Sequence, residues 1–221
     1  NIWPEVDWFR DWEVKAFRSE SSNPNQKLGL YFEKTLHDWI EQEPKLALLA
    51  RNLVVRSNAR TLGEFDLIVR NENLIEHWEI AVKFFLGIGD RTNIGHWIGP
   101  NPRDTLERKL DSLENRQIRL GDNPDAKRIL EQKDIKIDSR RIIFKGRLFH
   151  PYKMFKLSRF EFPKDINLSH EKGWWLSWEE LDSHQELKNS SFKLLEKREW
   201  LAQLKNIDTE EMISFDELKD R

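Results

Sequence analysis

The sequence predicts an α/β fold built as helix, three-strand meander, helix and strand, with a helical extension at its carboxyl-terminal end. Three observations carry that expectation. A capped amphipathic segment, NPNQKLGLYFEKTLHDWIEQE, precedes three β-rich runs; the third of these, HWEIAVKFFL, alternates with period two; and a second amphipathic segment, TLERKLDSLENRQIRL, separates it from a fourth run, RRIIFKGRLF. With 221 residues the chain is long enough for one substantial core and short for two. Charged residues reach 34%, close to the 38% that are hydrophobic, but ten Trp and thirteen Phe set the chain apart from disordered sequences.

Residues 1–22 read as an amino-terminal arm. It is too acidic and too interrupted for a signal peptide or a membrane span, and it opens on Asn rather than Met, so the true start is expected upstream. In the first helix Asn23 is the cap, Pro24 fits the first helical position, and Leu28, Phe32, Leu36 and Trp39 recur at helical spacing. Pro44 ends that helix or begins a short second one through Ala50. NLVVRS then reads as a strand, NARTLG as a turn, EFDLIV as a second strand and RNEN as a tight connection. On the third strand Trp78, Ile80, Val82, Phe84 and Leu86 share one face, expected to be the core face. His77, Glu79, Ala81 and Lys83 share the other, expected to be polar.

The segment GIGDRTNIGHWIGPNPR follows, and a loop of that length inside a compact domain is more often functional than idle. Asp104 is expected to cap the next helix, whose Leu106, Leu110, Leu113 and Gln117 run down one side. A shorter helix, PDAKRILEQ, and the fourth strand complete a core assigned to residues 23–164. Over residues 165–221, GWWLSWEELDSH with a Ser177/Glu180 capping box, FKLLEKREWLAQLK and FDELKDR add a strand and amphipathic helices packed on that core.

Several function classes drop out. The chain has no cysteine, which removes disulfide frameworks, thiolate zinc sites and cysteine nucleophiles and leans towards a reducing, cytoplasmic setting. Its apolar runs are too short to span a membrane. Gly87, Gly89, Gly95 and Gly99 are not followed by GKS or GKT and lack the GxGxxG spacing, so nucleoside-triphosphatase chemistry is not expected; HExxH, GxSxG and EF-hand patterns are missing as well. Charge is uneven beneath a net −2. From Lys127 to Lys164 twelve Lys or Arg face four Asp or Glu, whereas residues 165–221 carry eight basic and fourteen acidic residues. A basic middle suits phosphate-backbone binding, and a solvated Lys-rich edge accounts for it equally well.

The informative stretch is LGEFDLIVRNENLIEHWEIAVKFFL, residues 62–86, which sets Asp66, Glu79 and Lys83 into strands where ionisable groups are costly unless paired. Two carboxylates on adjacent antiparallel strands can share a divalent cation, with the backbone carbonyl after the second as a further oxygen ligand. Mg²⁺ or Mn²⁺ suits such a donor set. Lys83, on the same face as Glu79, is placed to stabilise charge on a phosphate or to orient water. The plain alternative is an ion pair in which Lys83 neutralises Glu79 or Asp66. Glu64 is equally a further ligand or a solvated strand end, His77 is expected to be neutral and hydrogen-bonded, and Lys109 to be a solvated helix residue. Trp174, Trp175 and Trp178 are expected to pack the extension on the core rather than to stack on bases.

The order of elements, with GEFD on the second strand and Glu79 and Lys83 on the third, resembles the PD-(D/E)XK nuclease superfamily. More narrowly, LGLYFE, TLGEFDLIV, HWEIAVKFFLG and WIGPNPRDTLERKL resemble the bacterial family of domain of unknown function 1853. The similarity runs from about Leu28 to about Gln117 and continues more weakly through KGRLFHP and GWWL. The resemblance implies a restriction-endonuclease-like core and Mg²⁺-dependent hydrolysis of nucleic-acid phosphodiesters, DNA more than RNA; many nucleases of this type form a homodimer to cut both strands, and the oligomeric state is left open. It implies Asp66, Glu79 and Glu33 as metal ligands, Lys83 as the catalytic lysine, and Gln117 as a helix glutamine near the site. The superfamily's acid and lysine are usually separated by one residue. Here Ala81 takes the lysine position, and Lys83 lies one pleat further, about 6.6 Å by strand rise. A catalytically inactive nuclease-fold protein that binds nucleic acid or a partner protein is the alternative.

Overall fold

The computed structural model describes residues 27–57, 60–164, 166–201 and 212–221; the arm over residues 1–22 and the cap at Asn23 and Pro24 lie outside them. Leu28, Phe32, Leu36 and Ile40 recur every four residues, and helix α1 (Leu28–Ile40) buries that stripe on the sheet. Past Pro44 the chain extends at once into strand β1 (Leu46–Ser57) rather than into a second helix. Leu and Ala in LALLA favour helix locally, but antiparallel pairing with β2 (Arg60–Asn71) along nearly the whole strand overrides that preference. Strand β3 (Leu74–Gly87) turns back against β2.

A short strand β4 (Trp97–Ile98), helix α2 (Leu106–Ser112) and helix α3 (Pro124–Glu131) follow. Thr105, not Asp104, caps α2: its side chain accepts the Arg108 N–H at 3.3 Å. Strand β5 (Ser139–Pro151) then returns parallel to β3, and β6 (Lys172–Trp175) parallel to β5. The result is one mixed sheet in the order β1-β2-β3-β5-β6, with β4 against β3.

Helices cover both faces. On one, α1 packs Phe32, Leu36 and Ile40 on Leu67, Val69, Trp78 and Ile143; on the other, α2 and the turn after it pack Leu106, Leu110 and Leu113 on Ala81, Phe85 and Phe144, and α3 packs Ala126 and Leu130 on Phe65 and Ile68. The expectation of a core face and a polar face on β3 is therefore reversed in degree. His77 and Glu79 are wholly buried and Ala81 nearly so, with Lys83 half-buried on that face; on the other, Trp78 is wholly buried, but Ile80, Val82 and Phe84 are half-buried and Leu86 is exposed. Helix α2 and the turn after it seal the side that carries the charge.

In the carboxyl-terminal part, helices α4 (Tyr152–Lys156), α5 (Gln185–Lys188) and α6 (Phe215–Lys219) are each about one turn long. FKLLEKREWLAQLK forms only a 3-10 turn over Lys197–Leu201, and its residues 202–205 lie outside the described residues. Ser177 and Glu180 do bond, Oγ to Oε2 at 2.9 Å. Among the described residues no helix is long and apolar enough to cross a membrane.

One buried ion pair ties the meander to β5. The Glu76 carboxylate accepts from both Nε and Nη2 of Arg141, each at 3.1 Å, from Trp78 Nε1 at 2.6 Å and from Asn71 Nδ2 at 3.3 Å. Burial alone would raise its pKa, yet these donors hold it below the ordinary glutamate value. Arg141→Met strands that buried charge and is expected to cost about 3–5 kcal/mol, a fall in Tm of roughly 10 °C by circular dichroism melting. A loss below about 1 kcal/mol would show that Glu76 is solvated or neutral instead.

Candidate active site

The β2–β3 ladder ends early. Its last pair is Leu67 with Trp78, and the next strand to meet β3, β4, pairs only at Leu86 and Gly87. Because β5 occupies the other edge of β3 from Glu76 to Leu86, β4 continues the edge that β2 has left. Among the described residues that edge carries no strand from Glu79 to Phe85. Asp66 stands at the opening, where Oδ2 accepts the Ile80 N–H at 2.7 Å and so replaces the carbonyl that a continued ladder would have offered.

Glu79 is fully buried on the α2 side of the same strand. Its Oε1 accepts from Gln117 Nε2 at 2.5 Å, its Oε2 has no hydrogen-bond partner, and His77 Nε2 lies 3.5 Å from that oxygen. Asp66 and Glu79 are neighbours across the break, and each acts on the other's titration. Burial first, and then the Glu79 charge, push Asp66 up to about 7; burial likewise pushes Glu79 up to about 7, against the pull of Asp66 and of Lys109. His77, buried edge-on to Phe65 at 4.8 Å, is pushed down to about 4 by burial and is neutral, as expected, but both of its ring nitrogens are buried without a well-formed hydrogen bond, contrary to the expectation.

Glu33 approaches from α1, on the other face of the sheet. Its Oε2 is buried without a partner, and its pKa is raised by burial and then by the Asp66 charge. Asp66 thus stands between Glu33 and Glu79. No third His, Asp or Glu among the described residues forms a group with Asp66 and Glu79 in which all ligand atoms lie within 4.8 Å; the group that meets this criterion, His37, Asp38 and Glu41, sits at the far end of α1.

Lys83 shares the Glu79 face but does not turn towards it. Its Nζ donates to Asp104 Oδ2 at 2.5 Å, at the half-exposed rim. Asp104 is therefore a charge partner and not a cap. Lys109, from α2, is linked to Glu79 through the Gln117 amide. It is half-buried, donates to Gln117 Oε1 at 3.1 Å, and has its pKa lowered by burial against the opposing attraction of Glu79. Gln117 is delivered by a π-helical turn, Leu113–Gln117, closed by the Ile118 N–H on the Leu113 carbonyl at 3.0 Å, and Ser112 Oγ also donates to its Oε1 at 3.2 Å. The solvated lysine expected at position 109 is thus part of the site. A signal was present, because Lys109 falls three residues after Leu106 and four before Leu113, within the apolar stripe of the helix.

The basic stretch from Lys127 to Lys164 is spread over α3, β5 and α4, and much of it is engaged. Arg128 pairs with Asp125, Arg140 with Asp122, Arg141 with Glu76 and Lys156 with Glu186, while Lys145 is half-buried. The Gly-rich loop is folded on itself: Arg91 donates to the Gly89 carbonyl and to Glu161, and Trp97 Nε1 donates to the Arg91 carbonyl. It serves to carry the chain from β3 to Asp104 and α2.

The donors at the break are all oxygens, two from carboxylates in contact and buried to different degrees, with an unpartnered carboxylate oxygen on Glu79 and another on Glu33. That set fits a hard divalent cation better than a soft one. No curated protein and no solved structure matches the chain. The family model described as domain of unknown function DUF1853 matches residues 5–220, nearly its whole length, and the chain belongs to that family.

Proposed function

We propose that this protein is a metal-dependent phosphodiesterase of the PD-(D/E)XK nuclease type, with a restriction-endonuclease-like core, acting on DNA. The observation that carries the reading is the pairing of Asp66, half-buried, with Glu79, wholly buried, two neighbouring carboxyls with raised pKa values at a break in the sheet, one oxygen of Glu79 left without a partner. Uncompensated like charges destabilise a fold, and they persist where something binds them. The order α1, β1, β2, β3, α2, β5 is consistent with such a core.

Asp66 and Glu79 would hold Mg²⁺ or Mn²⁺, with Glu33 facing Asp66 from α1; the bound ion supplies polarisation of a phosphoryl oxygen and of a water. In the proposed reaction water attacks phosphorus in line, a new P–O bond forms as the ester P–O bond breaks, the departing oxygen takes up a proton and water loses one. Asp66 is fixed by the Ile80 N–H and Glu79 by Gln117, so neither needs to reorganise as charge develops. The rigid strands hold both within the tolerance that such chemistry demands.

The test is cleavage of end-labelled linear, single-stranded and circular DNA in Mg²⁺ or Mn²⁺. Cleavage by the wild type that is abolished by EDTA and by Asp66→Ala is the expected result. Salt-sensitive binding with no cleavage would instead favour the second reading, a catalytically inactive member of the same fold. That reading draws on Ala81 in the lysine position and on the engagement of Lys83 by Asp104.

A further inference from the structure

We propose that Lys109, brought to the carboxylate pair by helix α2, is the catalytic lysine of this site and that Lys83 is not. The inference rests on the phosphodiesterase reading and assigns within it the group that contacts the scissile phosphate.

A lysine in this role must place its ammonium beside the carboxylates without being neutralised by a dedicated partner. Lys83 fails on both counts. It is one pleat beyond Glu79, and its charge is taken up by Asp104 at 2.5 Å. Ala81, between them, is buried against the α2 core and offers no functional group. Lys109 is linked to Glu79 by one intervening side chain and is not claimed by a dedicated partner. The path from Lys109 Nζ to Glu79 runs through one amide, Gln117, with contacts of 3.1 and 2.5 Å. Among the described residues Lys109 makes no ion pair, and its recorded hydrogen bond uses one of three donors, leaving two for a phosphate oxygen or a water.

Local structure supports the same assignment. Lys109 is half-buried within the apolar stripe of α2, where an ammonium loses hydration and gains no salt bridge in return. A methionine or leucine would pack there at lower cost. Gln117 bridges Lys109 and Glu79 because the π-helical turn places it there, and such turns recur at functional sites. Burial lowers the Lys109 pKa, Glu79 opposes that shift, Lys83 adds to it, and Asp66 and Asp104 oppose it.

The experiment compares wild type, Lys109→Met, Lys109→Arg and Lys83→Met as full-length chains. It measures steady-state cleavage of labelled DNA at saturating Mn²⁺, Mn²⁺ affinity by calorimetry, and thermal stability. Lys109→Met is expected to lower kcat by about 100-fold or more with KM for DNA changed by less than about threefold, to keep its Tm and to bind Mn²⁺. Lys109→Arg is expected to recover part of the rate, and Lys83→Met to stay within about fivefold of wild type. A purely structural countercharge would show itself differently: Mn²⁺ affinity would fall in Lys109→Met while kcat at saturating metal stayed near wild type, and that result overturns the proposal.

A second readout needs no turnover. Lysines are reductively methylated with ¹³C-formaldehyde and followed by NMR as thymidine 5′-monophosphate and Ca²⁺ are added. The Lys109 signal is expected to move and the Lys83 signal to stay; the reverse pattern overturns the assignment. Failure of the broader reading looks different again, since a wild type without metal-dependent cleavage, indistinguishable from all three variants, removes the reaction itself and this role with it.

Discussion

Asp66→Asn and Glu79→Gln are each expected to raise the thermal stability of the metal-free protein at pH 8 while abolishing the proposed cleavage. The two carboxyls are held at about 7 when folded, foremost by burial, against ordinary values of 3.8 and 4.5. A carboxyl whose folded pKa is raised stabilises the fold fully below its unfolded pKa, and that contribution is lost as pH rises through about 7. At pH 8 the native protein therefore carries two neighbouring negative charges, one wholly and one half buried. Asparagine at position 66 keeps an oxygen for the Ile80 N–H and removes one of those charges; glutamine at position 79 keeps an acceptor for Gln117. The gain is expected to be about 1–2 kcal/mol, roughly 3–6 °C for a chain of this length, read by melting at pH 8 in EDTA.

Mn²⁺ should reverse the order, raising the wild-type Tm at pH 8 and leaving both variants nearly unmoved. The buried histidines act with opposite sign. His77, His150 and His170 are held at about 4 by burial, so the unfolded chain binds more protons as pH falls from 6.5 towards 4 and stability is lost over that range. Together these five groups place the stability maximum of the metal-free protein near about pH 6.5. If Asp66→Asn melts lower than wild type at pH 8 in EDTA, the pair is not a site of stored repulsion and the argument for a cation between them fails.

Strand β3 was legible because period-two alternation survives even where helices cover both sides of the sheet. The relative burial of its two faces was not, since a strand sandwiched between helices gives no polarity cue for depth. Asp66 and Glu79 stood out as charges inside apolar runs. The break that brings them together depends on where β2 parts from β3, and a register ending at Leu67 is decided by tertiary packing. Strand β1 was seen only in its second half, because LALLA favours helix until β2 is there to pair with it. The pairing of Lys83 with Asp104, and of Lys109 with Gln117, was hidden for a related reason. A lysine on a strand face beside a glutamate is a familiar pattern, whereas the partner that draws Lys83 away, Asp104, lies beyond a long loop whose path the sequence does not encode locally.

Gly146→Ala is expected to be the most damaging single substitution in the strands that carry the site. On β5, Gly146 lies opposite Lys83 in the parallel register with β3, and its φ of +151° belongs to a region that side-chain-bearing residues rarely enter. A Cβ there would sit 1.6 Å from the Lys83 carbonyl oxygen and 2.8 Å from its carbon, both backbone atoms with no rotamer to change. Relief requires β3 and β5 to separate, at a point two pairs from Phe144 and Phe85 in the α2 core and four residues from Glu79. The cost is expected to exceed about 4–5 kcal/mol, the range in which point variants of marginally stable proteins fail to accumulate in soluble form. Gly121→Ala is the matched control, because its new methyl would meet Ile137 Cδ1 at 3.5 Å, an ordinary contact, and is expected to leave solubility and Tm nearly unchanged. A soluble Gly146→Ala protein melting within a few degrees of wild type would mean that β3 and β5 do not approach as closely as this register requires. The placement of Lys83 at the rim, and with it the proposed role of Lys109, would then have to be redrawn.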